Sequence, residues 1–227
     1  MEKSQLDQYL SDGVENIMKG MRKTFLTNPK SAVFFMKYAQ AAGAAAEKRR
    51  AAKQNGEHIP PFLIASITSQ CNLRCKGCYA WANHTCGGGT KQDGLRAEQW
   101  DDIFCQAEDM GVSFILLAGG EPLMRPDVLK MAGRRKNILF PVFTNGTMIS
   151  KEILSGSRNA EPDSGEPQTG SEDVNTYLQM FMDNRNLLPV LSIEGDRQMT
   201  DTRRGAGIYD CLIQTMEELK ARNILYG

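Results

Sequence analysis

Phe62-Leu63-Ile64-Ala65-Ser66-Ile67 is followed, after three residues, by Cys71-Asn72-Leu73-Arg74-Cys75-Lys76-Gly77-Cys78-Tyr79. The first stretch reads as a buried strand: six residues, mostly apolar, started by Pro60-Pro61, which stop any helix before it. The second is a loop with three cysteines at C-x3-C-x2-C spacing. A strand fixes where such a loop begins, and the loop can turn its thiols toward one region. Three thiolates are one short of a closed structural zinc site and of an ordinary four-cysteine cluster. Either one metal keeps an open position for a reactive ligand, or a fourth donor comes from elsewhere. His84 and Cys86, in the polar stretch Trp81 to Gly89, are the nearby donors; the other reading makes them ordinary loop residues.

Outward from this stretch, strand and helix patterns alternate. A helix is expected over about Arg96 to Met110, with Trp100, Ile103, Phe104 and Ala107 as its apolar stripe and Cys105 close to it as a buried, inert thiol. A strand over Val112–Ala118, a short helix over about Pro126 to Arg135, a strand over Ile138–Thr144 and a helix from near Ser150 follow. A fourth strand spans Leu187–Ile193. A helix over about Gly207 to Arg222 carries Ile208, Cys211, Leu212, Met216 and Leu219 on one face, with Cys211 in the core. Repeated strand–helix units imply a parallel α/β sheet, and sites in such sheets form beyond the carboxyl ends of the strands.

The polar and glycine-containing motifs fall at those ends. Gly119-Gly120-Glu121-Pro122 closes the second strand. Its glycines admit close backbone approach to a ligand, or simply make a turn. Thr144-Asn145-Gly146-Thr147 closes the third; Asn145 reads as a hydrogen-bonding group for a ligand or as part of an Asn-Gly turn. Ser192 and Glu194 close the fourth, and Asp201-Thr202-Arg203-Arg204-Gly205 lies just beyond.

The cysteine loop with the GGEP stretch closely resembles the radical S-adenosylmethionine (radical SAM) superfamily. The resemblance implies a partial (βα) barrel, TIM-barrel-like, here apparently truncated after about four βα units. It implies that Cys71, Cys75 and Cys78 hold three irons of a [4Fe–4S] cluster and that the fourth iron binds the amino and carboxylate groups of S-adenosylmethionine. Gly119, Gly120, Glu121 and Pro122 would meet the amino group. Ser192 and Glu194 match positions that in relatives contact the ribose or the methionyl carboxylate, and Arg204 is a partner for that carboxylate or one of a solvated basic pair. Asn145 would face cofactor or substrate. The residue before the third cysteine, often aromatic in the family and set against the adenine, is Gly77 here; Tyr79 is the nearest aromatic. The implied activity is reductive cleavage of S-adenosylmethionine to methionine and a 5′-deoxyadenosyl radical, which takes hydrogen from an unidentified substrate. An external one-electron reductant of flavodoxin or ferredoxin type is implied as partner. The alternatives are a non-catalytic iron–sulfur carrier or sensor and a structural zinc protein.

Composition bounds the rest. The 227 residues are 41% hydrophobic and 24% charged, enough for one sizeable core. Lys+Arg and Asp+Glu balance at 27 each, so no net field draws the chain to nucleic acid. No apolar run long enough for a transmembrane segment occurs and the start lacks a signal-peptide layout. With six irregularly spaced cysteines, which suggest metal or catalysis more than disulfides, this gives a cytoplasmic expectation.

Residues 1–58 are expected to be helical, with 59–227 forming the barrel domain. Leu6, Leu10, Val14, Ile17 and Met18 recur at helical spacing, and a second helix is expected over about Ser31 to Gln54 with Ser31 as N-cap. These helices read as a cap on the domain or as a membrane-surface or partner-binding element. Residues 155–173 are rich in Ser, Gly, Pro and acids and read as a disordered insert, solvated or acting as a lid or partner-binding loop; a helix restarts near Asp173 with Val174, Tyr177, Leu178 and Phe181. Ile224-Leu225-Tyr226-Gly227 looks like the opening of a fifth strand. The expected edge beyond it suggests a piece of a longer chain, or a wall supplied by a partner.

Overall fold

A computed structural model describes residues 29–83, 94–158 and 177–227. Four strands, β1 (Phe62–Thr68), β2 (Phe114–Gly119), β3 (Phe140–Thr144) and β4 (Leu187–Leu191), form one sheet in the order β1-β2-β3-β4, every neighbouring pair parallel. The helices are α1 (Pro29–Gln54), α2 (Tyr79–Ala82), α3 (Ala97–Met110), α4 (Pro126–Arg134), α5 (Thr147–Arg158), α6 (Tyr177–Asp183), α7 (Arg197–Arg204) and α8 (Ile208–Ala221), with a 3-10 turn at Pro122–Met124. This is the α/β arrangement expected from the alternating pattern.

Alternation along the strands decides which face is covered. In β1, Ala65 and Ile67 are buried while Phe62 and Ile64 on the opposite face are exposed; in β2, Ile115 and Leu117 are fully buried. Phe104 of α3 stacks on Trp100 and meets the Phe140 ring edge-on at 5.1 Å, joining helix layer to sheet. Full burial of one such ring stabilises the fold by roughly 1.5–3 kcal/mol.

α3 begins with a cap in which the Arg96 N–H donates to Gln99 Oε1 at 3.0 Å. It ends at Gly111, whose φ of +93° is left-handed. A Cβ at Gly111 would stand 2.7 Å from the Ala45 carbonyl oxygen, so α1 docks on this turn. Arg49 donates to the Gly111 carbonyl, and Tyr38 donates to the Ser113 carbonyl at 3.0 Å. α1 therefore packs at the amino ends of the strands, away from the motif-bearing ends.

Several expectations are corrected. Pro29 is already helical in α1, so Ser31 lies buried inside the helix and is not its N-cap. Cys105 and Cys211 are half-buried and not core thiols. Each follows or precedes a buried residue by one position, Phe104 and Leu212, and one step along a helix turns about 100° away from that stripe. α5 begins at Thr147, not near Ser150, and continues through residues 155–158, so the expected insert does not start at 155. β2 and β3 each start two residues later than expected; the Val112 N–H turns back to the Ala107 carbonyl at 2.9 Å and keeps that residue with the helix end. α7 was not anticipated. Gly227 donates to Pro189 and accepts from Leu191 along the edge of β4, the start of the pairing expected for a fifth strand. The N-terminal pattern Leu6 to Met18, His84, Cys86, residues 159–173 and Val174 lie outside the described residues. Among the described residues no helix is long and apolar enough to cross a membrane.

Candidate active site at the carboxyl ends of the strands

Hydrogen bonds tie the four strand ends into one rim. The Gly120 N–H donates to the Thr68 carbonyl and the Glu121 N–H to the Gln70 carbonyl, each at 2.8 Å, joining the end of β2 to the chain leaving β1. A Cβ on Gly119 would overlap the Thr68 carbonyl oxygen, and one on Gly120 the Gln70 carbonyl oxygen. The glycine pair is thus explained by the approach of two backbones within the protein. Pro122 is buried as the first residue of the 3-10 turn.

Glu121 is fully buried and joins β2 to β3. Its Oε1 accepts from the Thr144 hydroxyl at 2.7 Å and the Leu123 N–H at 3.1 Å, and its Oε2 accepts from the Asn145 N–H at 2.8 Å. Burial pushes its carboxyl above the ordinary range, while these donors and the charge of Arg204 pull it back. β3 passes the rim on to β4 through the Ser192 N–H, which donates to the Thr144 carbonyl at 3.0 Å.

The cysteine loop is fastened at both ends. At its start, Asn72, Asn145 and Thr147 close a ring: Asn72 Nδ2 donates to Thr147 Oγ1 at 2.7 Å, Thr147 Oγ1 to Asn145 Oδ1 at 2.7 Å, and Asn145 Nδ2 to Asn72 Oδ1 at 2.9 Å. The Thr147 N–H also donates to Asn145 Oδ1, which closes the first turn of α5. Further on, the Lys76 N–H, between the second and third cysteines, donates to the Arg203 carbonyl at the end of α7 at 2.7 Å. Within the loop, Trp81 Nε1 donates to the Leu73 carbonyl at 3.0 Å with the Arg74 guanidinium 4.7 Å over its ring, and Gly77 takes a left-handed φ of +69°.

Beyond β4, α7 starts at Asp196, whose carboxylate accepts the Met199 N–H at 2.8 Å, and stops at Gly205. An N-cap acid and a glycine that bracket this eight-residue helix are the signals in the sequence that mark it. Glu194 bridges two arginines: Oε2 faces Arg203 Nη1 at 2.9 Å and Oε1 faces Arg204 Nη2 at 2.6 Å. Burial pushes Glu194 up, but Arg204 and Arg203 outweigh it and hold the carboxyl below the usual range.

Cys71, Cys75 and Cys78 are half-buried and in no disulfide. Burial raises the Cys75 thiol; Arg204 pulls it down, Cys78 pushes it up, and Arg203 pulls it down again. Among the described residues no three Cys, His, Asp or Glu side chains converge on a point as the ligands of one ion do. Three thiols on one anchored loop, with two arginines beside them to offset anionic charge, fit the chemistry of a cluster. Tyr79 stands exposed at the start of α2, and with Ser66, Thr68, Gly119 and Gly120 it lines a cleft of about 650 Å³ next to the loop.

The model of the Radical SAM superfamily matches residues 65–224, well over half the chain. The chain belongs to the radical SAM superfamily. Among curated radical SAM-related proteins it is 33% identical over 95 residues to the Fe-coproporphyrin III synthase of Methanosarcina barkeri, a match covering 41% of this chain and 23% of that protein. It is 37% identical over 90 residues to a probable GTP 3′,8-cyclase of Methanothermobacter thermautotrophicus, covering 38% of this chain and 28% of that one. The matches thus span about a quarter of the length of these relatives. The crystal structure of Streptococcus suis SuiB bound to its precursor peptide SuiA aligns with a TM-score of 0.55 at 17% identity, over 80% of this chain and 35% of that one, a likeness of fold. The partial-barrel architecture expected from the cysteine loop is therefore the radical SAM one.

Proposed function

We propose that this chain is the radical-generating domain of a radical SAM enzyme, with Cys71, Cys75 and Cys78 holding three irons of a [4Fe–4S] cluster and the fourth iron open to S-adenosylmethionine. When bound, the cluster supplies one electron that breaks the sulfonium C–S bond, giving methionine and a 5′-deoxyadenosyl radical that takes a hydrogen atom from the substrate. An external one-electron donor of flavodoxin or ferredoxin type, in the cytoplasm, would supply that electron.

The residues of the rim have distinct parts in this reading. The Asn72–Asn145–Thr147 ring and the Lys76–Arg203 bond hold the thiols in place before any ligand arrives, which spares ordering cost on binding. Both Glu121 oxygens are already engaged by groups of the chain. Its part is therefore to hold the Gly119–Pro122 segment, whose backbone carbonyls would receive the ligand's ammonium. Ser192 and Arg204 are set for its carboxylate, and Arg204 Nε is buried with no hydrogen-bond partner among the described residues. Tyr79 borders the cleft that would take the adenine. On the sheet face away from the helices, Ile64 and Phe143 give the hydrogen donor an apolar wall, which keeps water from a radical.

The observation that carries the reading is the fastening of the three-cysteine loop to the GGEP segment through the Gly120–Thr68 and Glu121–Gln70 bonds. The test is anaerobic reconstitution with iron and sulfide, followed by dithionite, S-adenosylmethionine and assay of 5′-deoxyadenosine. The wild-type chain should form it, and Cys71→Ala, Cys75→Ala and Cys78→Ala should not. Cleavage retained in all three variants would refute the assignment, and a cluster whose spectrum ignores S-adenosylmethionine would mark a carrier instead.

A further inference from the structure

The α7 end meets the cysteine loop in a way that the family resemblance does not account for. Arg203 gives its carbonyl to the Lys76 N–H at 2.7 Å, while its side chain and that of Arg204 share the two oxygens of Glu194. The Arg204 side chain is only 14% exposed, so its charge acts in a medium far less screening than water. Its Nε–H is buried without a partner among the described residues. Two guanidinium groups face one carboxylate, so Glu194 does not fully cancel the positive charge at this end of α7. The Lys76–Arg203 bond sets that charge at the cysteine loop, between Cys75 and Cys78.

Resting on the cluster assignment above, we propose that Arg204 and Glu194 form an opposed charge pair that sets the reduction potential of the cluster bound at Cys71, Cys75 and Cys78. Arg204 acts as a positioning residue through the electrostatics of the loop and not by contact with reacting atoms. Reduction adds one negative charge to the cluster, so a fixed cation nearby favours the reduced form and raises the potential. Glu194 tempers that cation. Removing each partner must therefore move the potential in opposite directions. A merely structural role of either residue would loosen the loop in both variants and would not produce opposite signs.

The experiment uses the full 227-residue chain, reconstituted with iron and sulfide, and a dithionite titration followed by electron paramagnetic resonance. S-adenosylmethionine is left out, so that any hold of Arg204 on the ligand's carboxylate does not enter. Arg204→Gln is expected to lower the midpoint potential and Glu194→Gln to raise it, each by a threefold to tenfold change in the electron equilibrium, where tenfold is about 59 mV for a one-electron couple. Arg204→Lys, which keeps the charge, is expected to return the potential toward the wild-type value. Should Arg204→Gln lose iron, the Lys and Glu194→Gln variants still decide: no rise in Glu194→Gln overturns the proposal. Shifts of the same sign in the two Gln variants, or no shift in either, overturn it while leaving the cluster assignment intact. A wild-type chain that binds no cluster overturns both.

Discussion

The Thr144 hydroxyl donates to the Glu121 carboxylate at 2.7 Å and thereby joins the ends of β3 and β2, 23 residues apart in the chain. With the Asn145 and Leu123 N–H groups on the same carboxylate, three buried donors depend on one side chain. Each donor left unsatisfied costs about 1–3 kcal/mol, set against relief of the cost of burying a charge. Glu121→Ala is therefore expected to destabilise the chain by about 2–4 kcal/mol, read as a lower urea midpoint. An unchanged midpoint would mean that water replaces the carboxylate.

The two glycines of the same segment give a sharper test. Gly119→Ala and Gly120→Ala each drive a methyl into a carbonyl oxygen of the chain leaving β1, and Gly119 also has a φ of +132°. Each is expected to cost about 3 kcal/mol or more, because backbone on both sides must shift. Gly43 in α1 has open space about its Cβ position, and Gly43→Ala should instead gain roughly 0.5–1 kcal/mol. Thermal unfolding of the three variants checks the contrast; a tolerated Gly120→Ala would show that the β1–β2 contact is looser than described.

The ring of Asn72, Asn145 and Thr147 is expected to be cooperative. Asn72→Ala and Thr147→Val each break two of its three bonds and have the Asn72–Thr147 bond in common, so the double variant should cost less than the sum of the singles by about 1 kcal/mol. Additive losses in a denaturation cycle would show three independent contacts. In the reading proposed above, the single variants should also retain less iron per chain after gel filtration.

Acid should open the α7 end first. Glu194 has its folded acidity constant held below the ordinary 4.5 by two arginines. Its contribution to stability is thus fully present above about 4.5 and is lost as pH falls through the lower folded value. Wild type should exceed Glu194→Gln in stability at neutral pH, and the gap should close on acidification below that value. A gap independent of pH between 3 and 7, as on-scale conditions for the titration, would mean that the carboxylate's charge is not what matters there.

How much of this was legible beforehand follows from the range over which each feature acts. The cysteine spacing, the strand before it and the motifs after β2, β3 and β4 are local patterns, and the chain alone determined the parallel α/β order and the placing of these motifs at strand ends. The part of each residue was not local. Gly119 and Gly120 read as room for a ligand, yet the backbone they admit belongs to Thr68 and Gln70. Asn72, between Cys71 and Cys75, carries no local sign of its part in the ring, because its partners lie 73 and 75 residues away. Arg204 was legible as a cation, but only the tertiary structure pairs it with Glu194 beside the cysteine loop, since the end of α7 must reach the loop after β1 for Arg203 to meet Lys76. Hydrogen-bond partners and dielectric surroundings are properties of the packed rim, and no window of sequence contains them.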